Sequence, residues 1–363
     1  RRQTIQLLAG MLVGLGFGLV MSLVSNGFVA SVLWLTSLRE TKLALWFDLG
    51  ASVSTFLPLI CLLLAASLIL QIRRLFGITR WHGPADSIYA AHRTDNELDV
   101  RSGFGSTLAA FISASGGASV GQYGPLVHFG ATMGSFLRQT TGGLLSTDIF
   151  IGCGVAGAIA AGFSAPIAGV VFAHEAILRH FSLRAITPIA ISSITAAWVS
   201  KWIFGAEPLF LISGSAPNLI ELLPAALIAG PIFGFVAVIF MQSLRHCSVF
   251  AAKSGWSPAR LLFSAALITG CVGMFVPEVL GLGGETVDAV LNDAFNGSYL
   301  FALLFLKLAV TAMCIGFGMF GGIFSPAMFV GVSAGAISGR VLQLLGFSIA
   351  GPGLAICGMA AVA

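Results

Sequence analysis

The stretch Gly121-Gln122-Tyr123-Gly124-Pro125 carries the clearest chemical signal in the chain. Two glycines free the backbone, and Pro125 suits the first turn of a helix, where its missing N–H would have had no intrahelical partner. The amides ahead of it can then point at a ligand. The helix expected to follow, Leu126 to about Leu137, carries no acid, and the positive end of a helix dipole attracts anions. The spacing predicts an anion site. The competing reading is a glycine-rich kink that only lets two membrane helices pack closely, and from this stretch alone the two weigh equally.

Few other residues offer chemistry. Glu175 lies in the apolar run Val170 to Leu178, where an acid is costly unless it faces water or a partner. It is a candidate for a proton path or an ionic partner; the plainer reading is a solvated acid at a cytoplasmic helix end beside His174, Arg179 and His180. His128, three residues past Pro125, is near the supposed anion site and is a second proton-path candidate, with a packed or satisfied histidine the simpler reading. Lys307 in Phe301–Ala312 and Asp48 in Leu43–Ala51 read as buried structural pairings. Gly152-Cys153-Gly154-Val155-Ala156-Gly157 formally fits GxGxxG, but nothing upstream alternates like a strand, and small residues at these spacings serve close helix packing. No Ser-His-Asp, HExxH or paired-carboxylate spacing is present. The six cysteines (Cys61, Cys153, Cys247, Cys271, Cys314, Cys357) form no CxxC pair and read as small core hydrophobes. Neither an enzyme, a cofactor, a metal site nor a disulfide framework is expected.

These residues must be held by membrane helices. Hydrophobic residues make up 57% of the 363, charged residues 9%, and the mean hydropathy is +0.98, which excludes a soluble domain and requires a polytopic membrane protein. The net charge of +4 comes from 18 Lys and Arg placed between apolar runs, where they set orientation, so nucleic acid is not an expected partner. Two long spans come first, at about 5–36 and 44–72. Arg1 and Arg2 before them, and Arg73, Arg74 and Arg80 after, put the N-terminus and the 73–101 loop on the cytoplasmic face. Beyond 101 the apolar segments shorten and are interrupted by Gly and Pro: 104–120, 126–138, 147–164, 166–180, 186–204, 221–244, 261–280, 300–319, 326–345 and 349–363. Several are below the ~20 residues that span a bilayer, the pattern of broken helices that meet near the midplane. Polar stretches 81–101, 206–219 and 284–298 are expected loops.

An internal repeat underlies this order. Pro125 is followed by Gly130 and Gly134; Pro326, 201 residues later, is followed at the same offsets by Gly331 and Gly335, with Arg138 and Arg340 closing each segment. Cys153-Gly154-Val155-Ala156-Gly157 is echoed 204 residues on by Cys357-Gly358-Met359-Ala360-Ala361. A duplicated unit explains this, with a first membrane repeat at 1–205, including the N-terminal helix, a second at 206–363, and no soluble domain. The first half continues past this echo through Phe163-Ser164-Ala165-Pro166. The chain is therefore expected to lack the end of its second half.

With both glycine-proline turns in view, the chain resembles the CLC family of chloride channels and proton-coupled chloride exchangers. Gly121-Gln122-Tyr123-Gly124-Pro125 is similar to its GxEGP turn except at one position, Gly322-Ile323-Phe324-Ser325-Pro326 fits GxFxP, and Gly162-Phe163-Ser164-Ala165-Pro166-Ile167-Ala168-Gly169 looks like its xFxAPLAG segment. The likeness runs in order from about residue 5 to the end. It implies an all-α fold of inverted repeats built from tilted and broken helices, a homodimer, and an anion pathway in each subunit. Its last helices, which supply a tyrosine hydroxyl to the central anion site, would be absent here. By resemblance the anion-binding residues are Gln122, Tyr123, Gly124, Gly322, Ile323 and Phe324.

Three departures bear on mechanism. Tyr123 stands where the family has its gating glutamate. The GSGIP motif has no clean copy; Pro84 in Arg80-Trp81-His82-Gly83-Pro84 is the best candidate for its proline and puts Trp81 at the serine position. Aligning on Ala165-Pro166 puts Ala176 at the inner proton-relay position, with Glu175 just before it. A glutamate titrates from about 4.3 and a tyrosine from about 10, so a Tyr123 gate stays neutral near neutral pH. The resulting expectation is passive, uncoupled chloride conduction in the cell (inner) membrane. The alternatives are an anion/proton antiporter with its proton path moved to Glu175 or His128, and a non-conducting membrane scaffold.

Overall fold

The computed structural model describes residues 2–39, 55–92, 98–140, 145–181, 183–205, 210, 212, 219–347 and 352–363. Asp48 lies outside the described residues. Apolar segments too long or too uniformly hydrophobic for a globular surface become helices, because in lipid only an internally bonded backbone is tolerated. In chain order these are α1 (Arg2–Ser37), α2 (Leu57–Phe76), α3 (Pro84–His92), α4 (Val100–Ser115), α5 (Tyr123–Thr140), α6 (Thr147–Phe163), α7 (Pro166–Phe172), α8 (Leu183–Phe204), α9 (Leu219–Lys253), α10 (Pro258–Phe275), α11 (Gly284–Leu291), α12 (Gly297–Gly316), α13 (Phe324–Leu344) and α14 (Gly353–Val362). A π-helical segment, Ala173–Leu178, continues α7. Six of these helices are long and apolar enough to cross a membrane, and the protein is a multi-pass integral membrane protein.

Three differences from the sequence reading have local causes. The polar stretch 81–101 contains α3: Pro84 opens it, and the Asp86 carboxylate accepts from the Gly83 amide at 2.9 Å and from Arg80 at 2.6 Å, fixing its first turn. The stretch 284–298 contains α11, whose Thr286, Val287, Val290 and Leu291 are buried one turn apart, a helical period too short to stand out by hydropathy. Helix α9 runs past 244 to Lys253 because its polar end is bonded within the helix: Ser243, His246 and Ser248 each pair with the carbonyl four residues back, at 2.7–2.8 Å.

The described chain divides into two compact units. One comprises Arg1–Trp34, Gln71–Phe111 and Gln122–Leu209; the other comprises Leu35–Leu70, Ile112–Gly121 and Phe210–Ala363. Within the first, α1 packs on α8 through Gly14, where an added Cβ would lie 2.4 Å from the Pro188 carbonyl oxygen, and through a Ser22–Ser200 hydroxyl pair at 2.9 Å. Helices α5 and α6 cross backbone to backbone: a Cβ on Gly154 would come 2.0 Å from the Gly130 carbonyl oxygen. Within the second, α13 and α14 cross in the same way, and a Cβ on Gly358 would come 2.4 Å from the Gly331 carbonyl oxygen. The repeat offsets of 201 and 204 are thus two copies of one helix crossing, and the fold is an inverted repeat of broken helices.

Candidate anion site

Both glycine-proline turns are built by the same local rules. Helices α4 and α12 end at Gly117 and Gly318, each with φ +98°, a conformation that costs an L side chain 1–2 kcal/mol or so and glycine nothing. At each end the next two amides fold back. Gly117 and Ala118 donate to the carbonyls of Ala114 and Ser113 at 3.1 and 3.0 Å; Gly318 and Met319 donate to Ile315 and Cys314 at 3.2 and 2.9 Å. This is the reverse-turn closure of a helix C-terminus. The chain then reverses, and α5 and α13 start at Tyr123 and Phe324, two residues before Pro125 and Pro326.

The ends of the two turns meet inside the second unit. Gly121 and Gly322 exchange both backbone hydrogen bonds, N–H to carbonyl at 2.6 Å in each direction. A Cβ on Gly121 would lie 3.0 Å from the Gly322 carbonyl oxygen and 3.1 Å from the Ser325 hydroxyl oxygen, so glycine is required by close approach. The Gly322 N–H is committed to this pairing, so its contact with the other turn is structural. Ile323 follows, 49% exposed.

In the first unit, Gln122 and Tyr123 are 4% and 5% exposed. The Tyr123 ring stacks on Phe163 with centroids 3.9 Å apart, and its hydroxyl is hydrogen-bonded by the Gln122 side chain. Gly162 leaves the space for this ring, since a Cβ there would lie 2.9 Å from Tyr123 Cε1. The structure thereby brings together two motifs that are forty residues apart in the sequence, Gly121–Pro125 and Gly162–Pro166. Ser164, at φ +51°, closes α6 so that Pro166 can open α7.

The proton-path candidates lie elsewhere in the same unit. His128 is fully buried on α5; its Nδ1 pairs with the Ser87 hydroxyl of α3 at 2.8 Å, and its ring lies 6.3 Å from that of His82. Its Nε2 has no hydrogen-bond partner among the described residues. Glu175 sits on the π-helical segment and is exposed, whereas its neighbour His174 is buried with Nδ1 on the His180 carbonyl at 3.0 Å. Pro84, the candidate motif proline, opens α3, and the His82 N–H donates to the Ser106 hydroxyl at 3.0 Å. The matched glycines Gly117 and Gly318 were a legible signal of the repeat that the reading of the prolines alone passed over. No group of three metal-ligating side chains occurs among the described residues.

Residues 61–363 match the protein family described as voltage gated chloride channel. The voltage-gated ClC-type chloride channel ClcB of Escherichia coli O157:H7 (strain EC4115) is 28% identical over 283 residues, which cover 77% of this chain and 67% of that protein; ClcB of the O127:H6 strain gives the same values. The fold is similar to a crystal structure of a CLC-type fluoride/proton antiporter, with TM-score 0.81 and 24% identity over 98% of this chain and 86% of the other. It is also similar to that of a slow cyanobacterial Cl-/H+ antiporter, with TM-score 0.85 and 21% identity over 97% and 84%. With the family match covering most of its length, the chain belongs to the voltage gated chloride channel, or CLC, family.

Proposed function

We propose that this protein passes chloride or a similar monovalent anion across the cell membrane by a passive, uncoupled route, along sites formed where α5 and α13 begin. Tyr123 is the observation that carries this reading. A phenol titrates from about 10 and offers an O–H to an anion without exchanging its proton near neutral pH. Stacked on Phe163 and tied to Gln122, it is a fixed, neutral constriction. Backbone amides of Gln122, Tyr123 and Gly124 at the start of α5, and of Ile323 and Phe324 at the start of α13, supply partial positive charge, and weak sites let an ion leave again. The ClcB relatives are named as chloride channels, in line with this reading. A homodimer is part of the proposal, with the exposed apolar faces of α8 (Ile194, Trp198, Trp202) and α9 (Leu223, Leu227) contributing to the interface.

The second reading is an anion/proton antiporter. It draws on the antiporter descriptions of the two similar structures and on the buried, unpartnered Nε2 of His128, with Glu175 as the exposed acid. Purified protein in chloride-loaded liposomes separates the readings. The expected outcome is anion efflux down the gradient with no net proton uptake. Stoichiometric proton counter-movement would replace the channel reading by the antiporter, and absence of any flux would replace both by a non-conducting scaffold.

A further inference from the structure

Lys307 on α12 is completely buried and is among the largest fully buried side chains of the protein. An ammonium in such a place is costly unless its N–H groups are taken up. Its Nζ donates to the carbonyl oxygens of Val279 at 2.9 Å and Gly281 at 3.0 Å, and lies 5.0 Å from the centroid of the Phe329 ring. All of these partners are neutral. The segment between α10 and α11 is shaped around the ammonium: Gly283, at φ +77°, would with a Cβ come 2.8 Å from the Phe329 ring and 3.3 Å from Nζ.

The carbonyls that Lys307 holds belong to a segment that holds the first turn in place. The Gly281 N–H donates to the Gly117 carbonyl at 3.0 Å, at the residue where α4 ends. Two residues further, the Ser119 hydroxyl pairs with that of Thr311 at 2.7 Å, and Thr311 is one helical turn beyond Lys307 on α12. Two residues further again is Gly121, paired with Gly322. A continuous line of hydrogen bonds and two short chain segments therefore links the buried ammonium to the meeting of the two turns, all inside one unit. The first repeat has a counterpart. The position 201 residues before Lys307 is Ser106 on α4, whose hydroxyl accepts the His82 N–H at 3.0 Å, in the segment that leads into α3 as 279–283 leads into α11.

We infer that Lys307 is a positioning residue for anion conduction: by clamping the Val279 and Gly281 carbonyls it fixes Gly117–Gly121 in the register that the Gly121–Gly322 pairing, and the helix start after it, require. The inference rests on the anion reading of the two turns. It assigns to Lys307 a geometric role, carried by its N–H donors, and makes the first turn's shape depend on a residue of the second repeat.

The test compares the full chain in liposomes as wild type, Lys307→Met, Lys307→Gln and Thr311→Val, reading chloride flux and the nitrate-to-chloride flux ratio. Absence of wild-type flux would overturn the anion reading itself, whereas wild-type flux leaves the variants to decide the role of Lys307. Lys307→Met is expected to lose about tenfold in flux, the scale of losing buried hydrogen bonds, and to move the anion ratio toward one. Lys307→Gln, which keeps two N–H donors without the charge, is expected to stay within about threefold of wild type with its ratio retained. Thr311→Val, nearly isosteric, is expected to shift the ratio in the same direction by a smaller amount. Wild-type flux and ratio in Lys307→Met would overturn the inference. A loss in Lys307→Gln equal to that in Lys307→Met would overturn it in favour of a role for charge. Should Lys307→Met yield no monodisperse protein, an unchanged ratio in Thr311→Val would overturn it instead.

Discussion

Gly117 and Gly318 end their helices at the same φ, and Pro125 and Pro326 sit at the same place in the helices that follow, yet the residues between them diverge. Ser119-Val120 in the first turn stands against Phe320-Gly321 in the second, and Gln122-Tyr123 against Ile323-Phe324. The first pair after the bridge is buried, with a phenol stacked and hydrogen-bonded; in the second, Ile323 is half exposed. A backbone set by glycine, proline and close helix crossings tolerates almost any side chain between those fixed points. The two repeats therefore share a scaffold while dividing the side-chain chemistry unequally, with the stacked phenol of Tyr123 confined to the first.

The largest effect should come from breaking the shared part. Gly154→Ala and Gly358→Ala each force a methyl into a carbonyl of the facing helix, at 2.0 and 2.4 Å, and overpacking against backbone that cannot move aside costs about 3 kcal/mol or more. Both variants should lose monodispersity and thermal stability in detergent to a similar degree. One variant behaving as wild type while the other collapses would mean that the two crossings are not equivalent.

A smaller effect is expected from altering the divergent part. Tyr123→Glu places an ionisable group in the first turn; near neutral pH the carboxylate repels anions, and flux should fall about tenfold and recover as pH is lowered toward and through its pKa, which starts from about 4.3. Tyr123→Phe makes the first turn resemble the second and removes one hydroxyl, with flux expected to stay within about threefold. Flux measured between pH 4.5 and 7.5 checks both; a pH-independent Tyr123→Glu would show that this side chain lies off the anion route.

The smallest effect concerns two ion pairs, Arg80–Asp86 and Arg340–Asp293. Burial alone would raise the Asp86 carboxyl, but the hydrogen bonds from Arg80 and from the Gly83 amide outweigh it and hold the group below the usual carboxylate range. Its stabilising contribution is therefore present above the unfolded value of about 3.9 and is lost as pH falls through the lower folded value. In the second repeat the carboxylate of the Asp293–Arg340 pair is 82% exposed, and such pairs contribute little. Asp86→Asn should lower the unfolding temperature by about 1–2 °C at pH 7 and Asp293→Asn by less, with the Asp86→Asn difference vanishing in acid. An equal shift for both, or one that persists at pH 3, would contradict this assignment.

Much of the scaffold could be read from residue types because it depends on them locally. Pro125 and Pro326 fix helix starts through a missing N–H and a preset φ, and glycines at repeated spacings mark where two backbones touch. The membrane class followed from composition for the same reason. The short helices α3 and α11 escaped because their burial is supplied by neighbours distant in sequence, and hydropathy averages them into polar loops. The partners of Lys307 could not be read at all: a lysine in an apolar run announces that something must satisfy it, but two backbone carbonyls leave no mark in the sequence. The stacking of Tyr123 on Phe163 was similarly out of reach, although both residues lie in stretches the motifs had singled out.

The pairing of Gly121 with Gly322 also has a consequence for the order in which the molecule assembles. It joins residues 201 positions apart, and closing so long a loop has an entropic cost that only contacts on both sides can offset. The crossing of α5 with α6 needs only residues 123–163, but the first turn acquires its neighbour only after α12 and the second turn have been made. The first repeat thus waits, inserted but with its turn unbraced, for the second half of the chain. A stall or truncation ahead of residue 322 leaves a helical, membrane-inserted product without that brace.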